Sequence, residues 1–447
     1  MPFDLLIGAA AEIITPEVGC EMAGFDARKG RARGIHDDLH ARALVLDDGR
    51  TRIALVSVEL LGLDRLFATR VRAEIERRTG IPAGNIVIAA THTHCGPVTF
   101  NHFYNQGQPL DEAYLTRLAS AIVASAERAV ASARPRKLRS GFVRAEGIAV
   151  NRRTANGLPV DPDAGVLLME ELDGTPVALA INFACHTTVL GPNTLDISGD
   201  FPFYTIRRLQ RQLGAGTQVL FFNGAEGDIS MGHKSDLSAV GVIAPFRTFE
   251  KAEELGFRLA EAIGGSLASL EYEDPFLEAG HRTLHLPLKR YAPFSTMVER
   301  RERDLATVRE LAAQTDTGRE GAAEELLKAR QQSLFSRIEE YYALLYEQTS
   351  GPDPKTLAAE LTALRIGNTA LLSFPGEVFV DIALDIRRRS MFKRTMFLGL
   401  ANDYVGYLPT AEADAAAGYE VVAARVTPAA AAILTEGATN LLDALAG

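Results

Sequence analysis

Cysteine is scarce: Cys20, Cys95 and Cys185 are the only three in 447 residues. Three is odd and too few for a disulfide framework, which points to a reduced compartment. No run of about eighteen uninterrupted apolar residues occurs, so no helix is expected to span a bilayer. The opening MPFDLLIGAAAEIITP has no charged leader, and Asp4 precedes a short apolar run that ends at Glu12, unlike a secretory signal. A cytoplasmic location is the expectation. Blocks of Lys and Arg are missing as well, and the formal net charge is −10, so nucleic acid is not an expected partner. The densest basic patch, DARKGRARG (26–34), reads as a loop. Histidine is sparse too, at nine, which makes its placement informative.

What is present is ordinary for a water-soluble globular chain: 47% hydrophobic and 23% charged residues. Seven short apolar runs read as strands covered on both faces, because they are continuous rather than alternating. They are RALVLDD (42–48), RIALVSVEL (52–60), NIVIAA (85–90), VALAINFAC (177–185), QVLFFN (218–223), TALLSF (369–374) and MFLGLA (396–401). Helical patterns fall between them, as in DRLFATRVRAEIERRTG (64–80) and DEAYLTRLASAIVASAERAVASA (111–133), and the Ala-rich end reads as a further helix. The expected class is α/β: a mixed sheet core with covering helices and a site at the carboxyl ends of the strands. Residues 293–361 differ, being highly charged and helical, and read as a hairpin inserted in one unit spanning 1–447. Its two readings are a solvated hairpin packed on the side and a lid over the site.

Polar residues cluster where the apolar runs stop. NIVIAA leads into Thr91-His92-Thr93-His94, VALAINFAC into His186, and QVLFFN into a Gly-bearing loop with Glu226, Asp228 and Ser230. TALLSF leads into Pro375-Gly376-Glu377, and MFLGLA into Asn402-Asp403-Tyr404 and Tyr407. Open α/β sheets bind ligands beyond the carboxyl ends of their strands, so five such endings suggest one shared site. His92 and His94 stand two apart and point the same way in extended backbone. One ion could take both, or one could bind while the other handles a proton. Imidazole with carboxylate suits zinc held by three protein groups with an open position. Glu377 is either that carboxylate or a helix N-terminal acid favoured by the dipole. Ser230 lacks the G-x-S-x-G elbow, which argues against a serine triad. Cys95 beside His94 leaves a thiolate nucleophile as an option.

In order, THTHCGP (91–97), Asn151-Arg152, FACHTT (183–188), GDIS (227–230), PGE (375–377) and NDYVGYLPT (402–410) resemble the landmarks of the neutral/alkaline (non-lysosomal) ceramidase superfamily. GIHDDLHARALVL (34–46) resembles its N-terminal strand entry. The resemblance implies a zinc-dependent amidase with one Zn2+ held by His92, His186, Glu377 and Tyr407. It also implies that His94 meets the reacting carbonyl, that Arg152 positions polar substrate groups, that Ser230 stands beside the attacking water, and that Tyr419 stabilises the oxyanion. The ion would bring the pKa of water toward about 7, and either Ser230 or His94 would protonate the leaving amine. The sequence departs from the family at Cys95, usually serine, and at GDISMG, which replaces a form ending in Ser-Pro-Asn. No immunoglobulin-like C-terminal domain is expected.

The expected function is hydrolysis of an amide in a small-molecule or lipid-like N-acyl substrate, not necessarily ceramide. A zinc-dependent esterase, lactonase or phosphoesterase on a small polar substrate is the alternative, and a non-catalytic binding protein on the same fold the third reading. Oligomeric state and acyl length are not encoded legibly.

Overall fold

The computed structural model describes residues 5–105, 109–316, 319–353 and 355–447. Its three larger sheets repeat one unit: an antiparallel hairpin, a helix, and a strand parallel to the hairpin's second strand. In the first sheet, His40–Asp47 pairs with Arg52–Val58, the helix Arg65–Thr79 crosses over, and Ile86–Ala90 lies parallel to Arg52–Val58. The second uses Asp163–Glu170, Pro176–Phe183, the helix Phe201–Leu213 and Gln218–Asn223. The third uses Thr356–Ile366, Thr369–Ser373, the helix Val380–Arg389 and Arg394–Leu398. Each unit therefore ends in a parallel pair whose carboxyl ends lie side by side. The mixed α/β class expected from the sequence is the one observed.

Side-chain alternation explains why these strands are apolar throughout. In Arg52–Val58, Ile53 and Leu55 join a core shared with Phe222, Leu371 and Met396 of the other two sheets. Ala54, Val56 and Val58 point the other way, into a core with Phe67, Val71 and Leu118 of the covering helices. A strand with two buried faces has no position for a polar residue until it ends. The helices stop and start on local chemistry. Asp64 accepts from the Phe67 amide at the start of Arg65–Thr79, and Gly80 closes it at φ 70°, donating to the Glu76 carbonyl.

The charged insertion forms two helices, Phe294–Asp316 and Ala322–Gln348, between the antiparallel strands Leu277–Pro287 and Thr356–Ile366. The expected helical stretch to Leu361 therefore ends early. From Thr356 onward, Ala359, Leu361 and Ala363 alternate into the core beneath the last helix, Ala429–Ala446, and the strand period prevails. The first insertion helix buries only Met297, whereas the second buries Leu334, Ile338 and Tyr342 against Phe103 with Tyr419 at their edge. Among the described residues no helix is long and apolar enough to cross a membrane.

Candidate metal centre

The carboxyl ends of the three parallel pairs interlock through the main chain. The amide of Gly399 donates to Asn223, that of Gly224 to Phe183, that of Ala90 to Leu400 and that of Leu400 to Gly376. Asn402, at φ 63°, acts as a surrogate strand: its side-chain oxygen accepts from the Ile88 amide at 2.9 Å. The polar residues that follow each strand are thereby delivered to one spot.

His92 leaves its strand in the left-handed region, at φ 68°, a backbone a residue with a Cβ rarely adopts and one that concentrates at functional sites. Its Nδ1 lies 2.8 Å from the Leu61 carbonyl, and Nδ1 of His186 lies 2.7 Å from the Glu226 carbonyl. A carbonyl oxygen only accepts, so each Nδ1 carries the proton and each Nε2 presents a lone pair. Burial, then the nearby Arg152 charge, pushes the His186 imidazole down to about 4, keeping it neutral at physiological pH. Oε2 of Glu377 lies 3.0 Å from His186 Nε2 and 3.5 Å from His92 Nε2. That oxygen is buried with no hydrogen-bond donor among the described residues. Its other oxygen accepts from the Tyr404 hydroxyl, fixing the carboxylate's orientation.

Tyr407 pairs in register with Glu377, and its hydroxyl stands 3.4 Å from His186 Nε2. Two imidazole lone pairs, an orphaned carboxylate oxygen and a phenol oxygen thus face one another in a water-excluded space. Unpaired acceptors buried together are costly unless a cation sits among them. The donor set fits a divalent ion, and both histidines are oriented by backbone carbonyls in the way metal-binding imidazoles usually are.

Around this centre stand the remaining residues singled out in the sequence. His94 Nε2 is 3.3 Å from His92 Nε2, and burial, then His92 and His186, holds its pKa well below the ordinary imidazole value. Arg152 donates to the Tyr407 oxygen at 3.2 Å and to the Gly227 carbonyl at 2.9 Å, and pairs with Glu420 at 2.8 Å. It is thereby committed to holding Tyr407 as well as to lining the cavity. Tyr419 stacks edge-on against Tyr407 with ring centroids 6.1 Å apart, and burial raises its phenol well above the usual range, so it stays protonated. Ser230 is buried, but its hydroxyl is engaged within its own loop, donating to the His233 carbonyl and accepting from the Gly232 amide at 3.2 Å each. The cavity wall beside it is made by His233 and Ser235 instead.

Cys95 is fully buried and burial pushes its thiol up to about 12, so no thiolate is available at neutral pH and the cysteine-nucleophile option falls away. The basic patch is partly structural, since Arg28 donates to the Ala23 and His94 carbonyls at 2.6 and 2.7 Å and holds Gly24 against His94. Tyr404, Glu420, His233 and Glu226 join the site without a role that the sequence alone assigns. Tyr404 lies inside the NDYVGY stretch and Glu420 beside Tyr419, so both stand next to marked residues. His233 carries no signal in its local sequence.

Residues 5–218 match the family model described as neutral/alkaline non-lysosomal ceramidase, N-terminal. Over those residues, just under half of its length, the chain is similar to that family. A neutral ceramidase of Pseudomonas aeruginosa is 26% identical over 450 residues, covering 90% of this chain and 66% of its own length. One from Mycobacterium tuberculosis is 28% identical over 236 residues, 47% of this chain and 36% of that one. The chain thus spans two thirds or less of these relatives. In three dimensions, the crystal structure of the Pseudomonas neutral ceramidase aligns with 99% of this chain and 74% of its own at a TM-score of 0.77 and 21% identity. A ceramidase complexed with C2 aligns at a TM-score of 0.76 and 20% identity, over 99% and 75% of the two chains. These two likenesses establish the shared fold. Asp228 accepts from Asn151 at 2.6 Å and from the Val380 amide at 2.9 Å, joining two of the ordered motifs to the start of the helix Val380–Arg389.

Proposed function

We propose that this protein is a metal-dependent hydrolase of an amide bond in an N-acyl substrate, with zinc as the ion and chemistry of the ceramidase type. The carrying observation is the convergence of His92 Nε2, His186 Nε2 and the orphaned Glu377 Oε2, with the histidine tautomers set by backbone carbonyls. Similarity to the ceramidase family model and to a neutral ceramidase supports the amide as the bond attacked. A divalent ion bound there supplies Lewis-acid polarisation of the carbonyl and a water acidic enough to act near neutral pH.

The chain's own groups account for the rest. His94, kept neutral by burial, can donate from Nε2 toward the carbonyl oxygen as charge develops on it. Tyr419 keeps its proton through burial and serves the same oxygen by donation. Arg152 holds the Tyr407 phenol in place and is itself neutralised by Glu420. His94 would also take the proton that the attacking water loses and pass it to the leaving amine, ending as the neutral imidazole it began as, since the Ser230 hydroxyl is occupied within its loop. The cavity beside these groups measures about 40 Å³ and is lined by His94, Arg152, His233 and Ser235 among others. That small space favours short acyl groups in the conformation seen, and it is the observation behind a second reading, hydrolysis of small esters, lactones or phosphoesters.

A panel of N-acyl amides, esters and phosphoesters, assayed with and without chelator, separates the readings. Amide turnover abolished by chelator and restored by zinc is expected, and His92→Ala and His186→Ala should lose both bound ion and turnover. Amide hydrolysis indifferent to chelator, or equal zinc content in wild type and both variants, would sink the proposal.

A further inference from the structure

Beside the centre lies a group for which neither the fold nor the proposed chemistry has a use. Glu226 follows the strand Gln218–Asn223 in the loop NGAEGDIS, and its side chain is fully buried. Neither of its carboxylate oxygens has a hydrogen-bond partner among the described residues. A carboxylate in that situation is normally paired with a cation or held by several amides. No Lys or Arg forms an ion pair with it among the described residues, yet its main-chain carbonyl orients His186. The ligand atoms of His92, Glu226 and Glu377 all lie within 4.8 Å of one another. Donors around one first-row divalent ion, each about 2.0–2.2 Å from it, are separated by no more than such distances.

The surrounding backbone keeps room for this side chain. A Cβ at Gly399 would stand 3.0 Å from the Glu226 carboxylate and 2.6 Å from the Gly224 carbonyl, so glycine there leaves Glu226 free to face Glu377. Gly399 is anchored by its amide to Asn223, at the end of the strand that leads into Glu226. The third sheet therefore opens space for a carboxylate supplied by the second.

We propose that Glu226 is a second carboxylate ligand of the metal centre, making it a site of two imidazoles, two carboxylates and one phenol that accepts Mn2+ as well as zinc. The inference rests on the proposed reading of His92, His186 and Glu377 as an ion site. Adding a carboxylate raises both the negative charge and the number of hard oxygen donors. Both changes favour an ion that prefers oxygen and more than four ligands, relative to zinc. The site's selectivity, and not only its presence, is then written in the Glu226 position.

The test is ion binding by the full chain, stripped with chelator and titrated with Mn2+ alone, with free Mn2+ followed by its electron paramagnetic resonance signal. Competition with a zinc indicator gives the affinity for zinc. Glu226→Gln should weaken Mn2+ binding by about 10-fold to 100-fold, the range seen when groups that tune a metal site are removed, and weaken zinc binding by less. Thermal unfolding of the stripped protein supplies the second readout. Glu226→Gln replaces a buried carboxyl that has no hydrogen-bond partner among the described residues, so the midpoint of stripped Glu226→Gln should not fall below that of stripped wild type, whereas a purely structural glutamate would lower it. Unchanged Mn2+ affinity in Glu226→Gln, or a lowered midpoint of the stripped variant, overturns this assignment and leaves the proposed hydrolase standing. A wild-type chain that binds neither ion overturns both.

Discussion

Single atoms decide what the centre can do, and Tyr404 shows how. Its hydroxyl donates to one oxygen of Glu377, leaving the other aimed at the two imidazoles. Its ring packs on Phe100 with centroids 5.0 Å apart, so Tyr404→Phe should keep the packing and lose only the hydrogen bond. The expected result is a loss of about 10-fold to 100-fold in ion affinity with little change in the melting of stripped protein. Affinity equal to wild type, by the same titration, would deny Tyr404 that orienting role. His102 argues the opposite case, a buried histidine with no catalytic part. It sits among Phe103, Tyr104 and Tyr404, its Nδ1 has no partner among the described residues, and burial pushes its pKa down to about 3. The unfolded chain, with an ordinary histidine, takes up a proton near pH 6.5, while the folded chain resists until about pH 3. Folding stability from this group is therefore complete above pH 6.5 and falls as acid is added. By pH 4 the loss is about 3 kcal/mol, because each pH unit below 6.5 costs about 1.36 kcal/mol while only the unfolded chain is protonated. Comparing denaturant unfolding at pH 7 and pH 4, His102→Phe should lose less stability than wild type, and an equal loss would show that other groups drive acid unfolding. None of this is legible in the sequence, because burial and partnership are properties of the fold. The pair His92 and His94 is legible because two scarce residues end an apolar run.

At the level of elements, the strand endings are readable for a definite reason. A strand covered on both faces has to be apolar until it stops, so QVLFFN and NIVIAA announce their own ends, and the observed Gln218–Asn223 and Ile86–Ala90 agree. The threefold hairpin–helix–strand unit is not readable, since each copy satisfies the same geometry with different residues and only pairing reveals it. The start of the strand Thr356–Ile366 reads as helix because its alternation is masked by Ala and Leu, which serve either element. The second insertion helix also joins the site through contacts absent from any local pattern: Arg337 pairs with Asp26, and Ile338 and Tyr342 pack beside Tyr419. Asp26 and Tyr419 both line the cavity of about 40 Å³, whereas pockets for drug-sized ligands run from about 300 Å³ upward. Under the proposed function, entry of a long N-acyl chain would call for this helix to move aside. Amide hydrogen exchange should show Ala322–Gln348 opening faster than the strands, and slowing when a non-hydrolysed N-acyl analogue is bound. Exchange as slow as that of Gln218–Asn223 would mean that the helix is a fixed wall and that entry lies elsewhere.

Over the whole molecule, the centre draws on all three sheets at once: His92 from the first, His186 from the second, Glu377 from the third. These sheets share a core in which Leu55, Phe222, Leu371 and Met396 meet, so separating any one of them would both expose that core and dismantle the ligand set. Binding of the proposed ion would therefore be coupled to global folding. An ion present at about 100 times its dissociation constant stabilises the folded state by about 2.7 kcal/mol, provided the unfolded chain does not bind it. Because His92, His186 and Glu377 each follow a different sheet, that gain should appear in every sheet. Hydrogen exchange in mild denaturant, with stripped and loaded protein compared, should show equal added protection in Ile86–Ala90, Gln218–Asn223 and Arg394–Leu398. Loading should shift a single unfolding transition without splitting it. Protection confined to one sheet, or a second transition appearing on loading, would mean that the ion is held locally and that the shared core does not couple the three strand ends.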